Sequence, residues 1–250
     1  MTRKEIRDLS RKRLGETTQA FWSDAELNNY INLGCKNIAW RTKCLRGIGY
    51  INIQSCEPNT VAEAKTEFSL TNLDPNIFAV NEVYFKREGK DYKRLEPTRR
   101  PDLDAESEEW QSLVGYTYTD LGSGIITYNK DSETSEPLQY YWSREEDFIG
   151  IYPPPNDQHD GAPLKIYYSK DHIDIADGTT GDAESPTLPI NLHLAAVDFT
   201  VATGLEDRGW AERANDQWNK YMTKLKDYHV EKQNEREDDE IIMKNYRNIM

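Results

Sequence analysis

The residues in this sequence best suited to chemistry are carboxylates beside aromatic rings. Tyr140, Tyr141 and Trp142 offer faces on which a sugar could stack, and Glu145, Glu146 and Asp147 supply the acid types that glycoside hydrolysis uses in pairs. Neighbours on a strand point to opposite faces, however, and 44 Asp and Glu residues make adjacent acids common by chance. Metal chemistry is weakly supported too. His159, His172, His193 and His229 are far apart and none has a histidine four residues away, the spacing that places two ligands on one helical face. Asp157, His159 and Asp160 stand close, but Pro153-Pro154-Pro155 before them and Gly161 after them read as a solvated turn.

Other catalytic signatures fail on the same kind of inspection. Gly47-x-Gly49 and Gly122-x-Gly124 lack the further glycines and the Lys-Ser/Thr that cradle a phosphate, and read as turns. A nucleophile elbow is missing, and Cys35, Cys44 and Cys56 form neither a C-x-x-C pair nor an even set for a disulfide framework. These features together point to a non-catalytic structural subunit with no cofactor and no metal. Reduced cysteines, a charged N-terminus without an apolar signal core and the lack of a long apolar run predict a soluble, unexported, cytosolic chain without membrane attachment.

Charge is distributed unevenly over the 250 residues. Residues 1–46 hold 10 Lys/Arg against 5 Asp/Glu and the rest 21 against 39, so +5 stands against −18. Arg3, Lys4, Arg7, Arg11, Lys12 and Arg13 form a basic stretch able to touch phosphate, but overall acidity favours repulsion of DNA, which leaves an acidic protein surface as its partner. The 15 tyrosines and 6 tryptophans suit interfaces as well as cores.

The elements that would position these groups begin with helices. Ile6 and Leu9, with Arg3, Arg7 and Arg11 at helical spacing, predict a short helix over 2–14 ended by Gly15. Ser23 and Glu26 form a capping box, with Trp22 and Leu27 as its hydrophobic staple. Leu27, Tyr30, Ile31, Gly34, Ile38 and Leu45 carry that second helix to about residue 45, where Gly47 and Gly49 stop it.

Residues 48–170 change to short β-branched and aromatic runs between Gly, Pro, Asn and Asp clusters. Strands are predicted over 48–54, 67–70, 79–87, 92–95, 116–119, 125–128, 138–142, 148–152 and 164–168, with hairpin turns at 88–91 and 121–124. A short acidic helix fits 101–110. This middle reads as antiparallel β rather than βαβ.

Residues 171–186 are rich in Asp, Gly, Ser and Thr and read as an exposed loop. Ile190, Leu194, Val197, Val201 and Leu205 then form one helical stripe, with Pro189 in its first turn, and Trp210, Ala214, Trp218 or Gln217, Tyr221, Leu225 and Tyr228 form another. Residues 231–250 have no core of their own and predict an arm that is disordered alone, and that either docks on a neighbouring chain through Ile241, Ile242, Met243, Tyr246 and Ile249 or packs on its own domain. The predicted class is α+β: residues 1–47 and 187–230 form a helical bundle, residues 48–170 an inserted antiparallel β-rich domain, 171–186 a loop and 231–250 an extended C-terminal arm.

Three stretches occur in a suggestive order. They are Phe21-Trp22-Ser23-Asp24-Ala25-Glu26-Leu27 running to Ile38-Ala39-Trp40-Arg41-Thr42, then Tyr152-Pro153-Pro154-Pro155 through Gly161 to Leu164-Lys165-Ile166-Tyr167-Tyr168, then Leu188-Pro189-Ile190-Asn191-Leu192 leading into the Ala195-Ala196 helix and on to Ala211 and Trp218. Their joint order, over about three quarters of the chain, resembles the head-to-tail adaptor (connector or neck) proteins of tailed bacteriophages. The resemblance implies a virion subunit made in the host cytoplasm. It forms a ring, usually of twelve copies, beneath the portal protein, and bridges it to a tail tube or nozzle protein while DNA passes through without sequence-specific binding.

It also implies that 231–250 is the arm gripping the portal and that Trp22, Leu27, Trp210 and Trp218 belong to the bundle and its interfaces. Acidic lining suits a DNA passage, and Asp102, Asp104, Glu106, Glu108, Glu109 or the 171–184 loop are the candidates to face it. The competing readings are an oligomeric interaction module outside a virion and a carbohydrate-active enzyme.

Overall fold

A computed structural model describes residues 1–16, 21–53, 67–86, 91–98, 116–120, 126–130, 140–143, 148–152 and 161–247. Two compact units emerge, Met1–Leu45 with Asp171–Met250, and Arg46–Lys170. The class is α+β, with N- and C-terminal helices packed together and antiparallel sheet inserted between them in sequence.

The first unit opens with α1 (Arg3–Leu14), whose Thr2 and Glu5 form a reciprocal capping box, and which ends at Gly15 in the left-handed region at φ 80°. Helix α2 (Asp24–Thr42) starts on the Ser23–Glu26 box and stops at Thr42, three residues short of the sequence expectation, because Lys43 turns left-handed at φ 50°. After the inserted unit come α3 (Thr179–Ala183), a 3-10 turn (Ile190–Leu192), α4 (His193–Asp207) and α5 (Ala211–Arg247).

One apolar core joins these helices: Ile6, Leu14, Leu27, Ile31 and Ile38 meet Ala195, Val197, Phe199, Val201 and Leu205, with Ala214, Tyr221, Leu225 and Tyr228 closing it. Gly34 belongs to this packing, since a Cβ there would lie 2.8 Å from the Phe199 ring. The predicted α4 stripe is displaced at its start. Ile190 and Leu194 are exposed, while Leu192, Ala195 and Ala196 are buried, because the tighter 3-10 turn resets the helical phase before α4 begins.

Residues 171–186 are exposed at most positions, as expected of a loop, but the segment is docked and partly helical. His172, Ile175, Gly181 and Pro186 are buried, and α3 occupies the middle of the segment. The C-terminal segment also differs from expectation: from Ala211 a single helix runs to Arg247, through most of the stretch expected to be disordered. Good helix formers in 231–240, continuing a helix already nucleated by packing, account for that.

The second unit carries two main sheets. In the first, β1 (Arg46–Asn52), β10 (Pro163–Lys170), β3 (Ile77–Lys86) and β4 (Tyr92–Arg94) lie in that order, all antiparallel. The second has the order β2 (Glu67–Ser69), β9 (Phe148–Tyr152), β8 (Tyr140–Ser143), β5 (Glu96–Pro97), and β6 (Tyr116–Asp120) pairs with β7 (Ile126–Lys130) as a separate ladder. The β5–β8 pairing is parallel, a two-residue exception to the antiparallel expectation that no sequence run announced. Val83, Phe85, Leu164 and Ile166 of the first sheet share a core with Phe68, Tyr141, Ile149 and Ile151 of the second.

Gly47 and Gly49 are not a turn. Both sit inside β1, where a Cβ on Gly47 would overlap the Tyr168 ring and one on Gly49 would come within 2.9 Å of Leu73. The predicted acidic helix at 101–110 and the turns at 88–91 and 121–124 fall wholly or mainly outside the described residues.

Candidate functional site

The basic face of α1 is engaged within its own unit. Arg3 is fully buried and donates to the carbonyls of Ile175 at 2.9 Å and Gly178 at 3.3 Å, and to Asp182 at 3.0 Å. One turn on, Arg7 donates to both carboxylate oxygens of Asp182, each at 2.8 Å, and to Asn28 Oδ1 at 3.0 Å. Arg11 reaches Glu16 and Asp24, each at 2.7 Å. Two arginines thus hold α3 against α1, and the third ties α1 to the start of α2. The paired guanidinium of Arg7 holds the Asp182 carboxyl below its ordinary value, with Arg3 adding to the effect.

Asp198 on α4 is fully buried and pairs with Arg13 from α1 and Lys224 from α5, so one carboxylate fastens three helices. His193 accepts or shares a hydrogen bond with the N-terminal amine at 2.8 Å through Nδ1 and reaches the Leu188 carbonyl at 3.0 Å through Nε2. These contacts replace the sequence expectation for the basic stretch. Arg3, Arg7, Arg11 and Arg13 all have partners in their own unit, so they are not a free surface for phosphate or for another chain.

Trp22 and Leu27 are buried in the bundle. Trp210 is half-exposed and meets the Trp22 ring edge-on at 6.1 Å, and Trp218 packs edge-on to Phe199 at 5.1 Å. Tyr228 is the last buried side chain on α5 among the described residues; positions 229–234 are exposed and the helix continues to Arg247. Ile241, Ile242, Met243 and Tyr246 lie on that continuing helix, and Ile249 lies outside the described residues.

The carbohydrate reading loses Tyr141 from its stacking platform, because that residue is buried in the β core with its hydroxyl donating to the Asn81 carbonyl at 3.4 Å; the side chains of Tyr140 and Trp142 lie outside the described residues. Glu145, Glu146 and Asp147 lie outside the described residues, as do Asp157, His159 and Asp160 and the acids Asp102, Asp104, Glu106, Glu108 and Glu109. Among the described residues, no cluster of three or more His, Cys, Asp or Glu is placed to hold a metal ion, and no helix is long and apolar enough to cross a membrane.

A model of the SU10 adaptor protein family matches residues 1–241. The chain belongs to that family. The match spans both units and reaches into the continuing part of α5. Among curated proteins no match is found. SU10 adaptors are phage head–tail adaptors, structural rather than catalytic, and the role implies portal and tail partners. In this adaptor the sequence signals missed the Arg3–Arg7–Asp182 fastening, since nothing local to 171–186 marks Asp182 as the partner of a helix that begins the chain.

Proposed function

We propose that this adaptor assembles as a ring of twelve copies beneath the portal, bridges it to a tail tube or nozzle protein, and encloses the passage through which DNA leaves the head. Residues 231–250, the end of α5 and the residues after it, act as the arm that docks on the portal, with Ile241, Ile242, Met243, Tyr246 and Ile249 as its apolar contacts. Acidic segments, among them Asp102, Asp104, Glu106, Glu108 and Glu109, face the passage and keep DNA from adhering.

The observation that supports this best is the length of α5 beyond its last buried residue among the described ones. From Tyr228 to Arg247 the helix extends roughly 28 Å at 1.5 Å per residue. A helix isolated over that length is marginal in water and gains stability from a partner surface. Its apolar residues are concentrated in the last turns, after an acidic stretch, as suits an element whose tip is buried and whose stem is solvated.

Electron cryomicroscopy of the adaptor bound to its cognate portal tests the proposal. Twelve copies with residues 231–250 seated on the portal are expected. A bound complex with that segment free in solvent contradicts the docking arm, and a closed assembly of another copy number contradicts the stoichiometry.

A further inference from the structure

The outer face of the first sheet in the Arg46–Lys170 unit carries an aromatic and basic surface that the bundle argument does not use. Register places the side chains of Ile48, Tyr167 and Glu82 in one row across β1, β10 and β3. The next row is Tyr50, Lys165, Tyr84 and Arg94, and Lys86 and Tyr92 follow beside it. The opposite face of the same strands supplies the core through Val83, Phe85, Leu164 and Ile166. Ile48 and Tyr50 are each more than half exposed, and β1 is an edge strand among the described residues.

The side chains on this face are organised rather than scattered. Lys165 Nζ lies 4.8 Å from the Tyr167 ring centroid and 5.7 Å from that of Tyr92, over which Lys86 also sits at 5.4 Å. Tyr84 meets Tyr167 edge-on at 5.6 Å and donates to Glu82 at 2.9 Å, and Arg94 lies 3.5 Å from the same carboxylate. Tyrosine, arginine and isoleucine, held flat and half-exposed, make the composition of an interface centre. At about 4.8 Å between strands the face is roughly 19 Å wide and of similar length, near half of what one partner contributes to a standard interface.

Charge identifies the occupant. The face and its edge hold Arg46, Lys86, Lys165 and Arg94 against one acid, Glu82, while the unit that bears it has 22 Asp/Glu against 13 Lys/Arg. A nucleic acid fits poorly, because cations already cover the Tyr92 and Tyr167 rings that bases would stack on, and Glu82 stands in the middle. A second copy of this chain fits, because the composition of its own β unit carries the complementary acidic excess. Such a contact joins unlike surfaces, the heterologous geometry that closes into a ring. We infer that the sheet face built on Ile48, Tyr50, Lys165 and Tyr167 is the contact by which one copy receives the next.

This inference rests on the ring reading above and is tested separately from it. Hydrogen exchange is measured on the wild-type chain, free and assembled with the portal, alongside the self-association of Ile48→Asp and Lys165→Glu. Expected are slower exchange at 46–52 in the assembly, at least tenfold weaker self-association in both variants with unchanged melting, and weakening of wild-type association as salt rises. A ring that forms with unchanged exchange at 46–52, or a folded Ile48→Asp chain that assembles like wild type, overturns the inference and leaves the ring reading intact. Ring formation retained by both variants with loss of tail-protein addition assigns the face to a tail partner and also overturns it. Absence of any self-association in the wild type, with or without portal, removes the ring reading itself.

Discussion

Arg7 grips Asp182 through two parallel hydrogen bonds of 2.8 Å, one from each terminal nitrogen to each carboxylate oxygen. This pair fastens the first helix to the segment that returns from the β unit, and Arg3 adds a third bond to the same carboxylate at 3.0 Å. Both arginines are almost wholly buried, so removing the carboxylate leaves two guanidinium charges without their main counter-ion. Asp182→Asn is expected to cost about 2–4 kcal/mol of unfolding free energy, measured by chemical denaturation. A loss below about 0.5 kcal/mol would show that the pair behaves as an ordinary surface bridge.

Acid should act on the same carboxylate. Its folded value lies below the ordinary 3.8, so its contribution is complete above 3.8 and disappears as pH falls through the lower folded value. The Asp182→Asn chain should therefore show a flatter acid limb in that window, read from denaturation midpoints against pH.

Burial also holds His172 below its ordinary 6.5, with Asp171 and Asp174 opposing that shift and Lys36 reinforcing it. Its Nδ1 lies 2.9 Å from the Thr187 hydroxyl, while Nε2 is buried with no hydrogen-bond partner among the described residues. The unfolded chain takes up this proton first, so stability is complete above 6.5 and decreases as pH falls below that value. His172→Gln should reduce the difference in unfolding free energy between pH 7.5 and pH 5.5, and an unchanged difference would exclude His172 as a contributor.

Gly47→Ala tests the close approach of Tyr168 to β1. The added methyl would meet the ring, so a loss of about 1–3 kcal/mol is expected, with faster hydrogen exchange along 46–53. Wild-type stability and exchange would show that the ring moves aside freely.

Deleting residues 238–250 should leave the melting of the isolated chain nearly unchanged, because the last described buried side chain of α5 is Tyr228, but should abolish portal binding. A large drop in melting temperature would place those residues in the fold.

Local signals were legible and long-range ones were not. The Ser23–Glu26 box and the Gly15 stop depend on residues within one turn, and both stand as read. The β-branched and aromatic run at 148–152 gave strand β9 without error. Gly47 and Gly49 were misread as a turn because their purpose is set by Tyr168 and Leu73, which lie elsewhere in the chain. Residues 171–186 have the composition of a loop, and only the arginines of α1, more than 160 positions earlier, reveal that the segment is docked. The same distance hid the fate of the arginines in the basic stretch, which looked like a binding surface and are internal fastenings, while Lys4 and Lys12 stay exposed.

Assembly is open to direct test by mass photometry of the purified chain with and without its cognate portal. Expected is a closed multimer, or a discrete portal complex carrying twelve copies. A chain that remains monomeric with portal present, across salt and concentration, would contradict it.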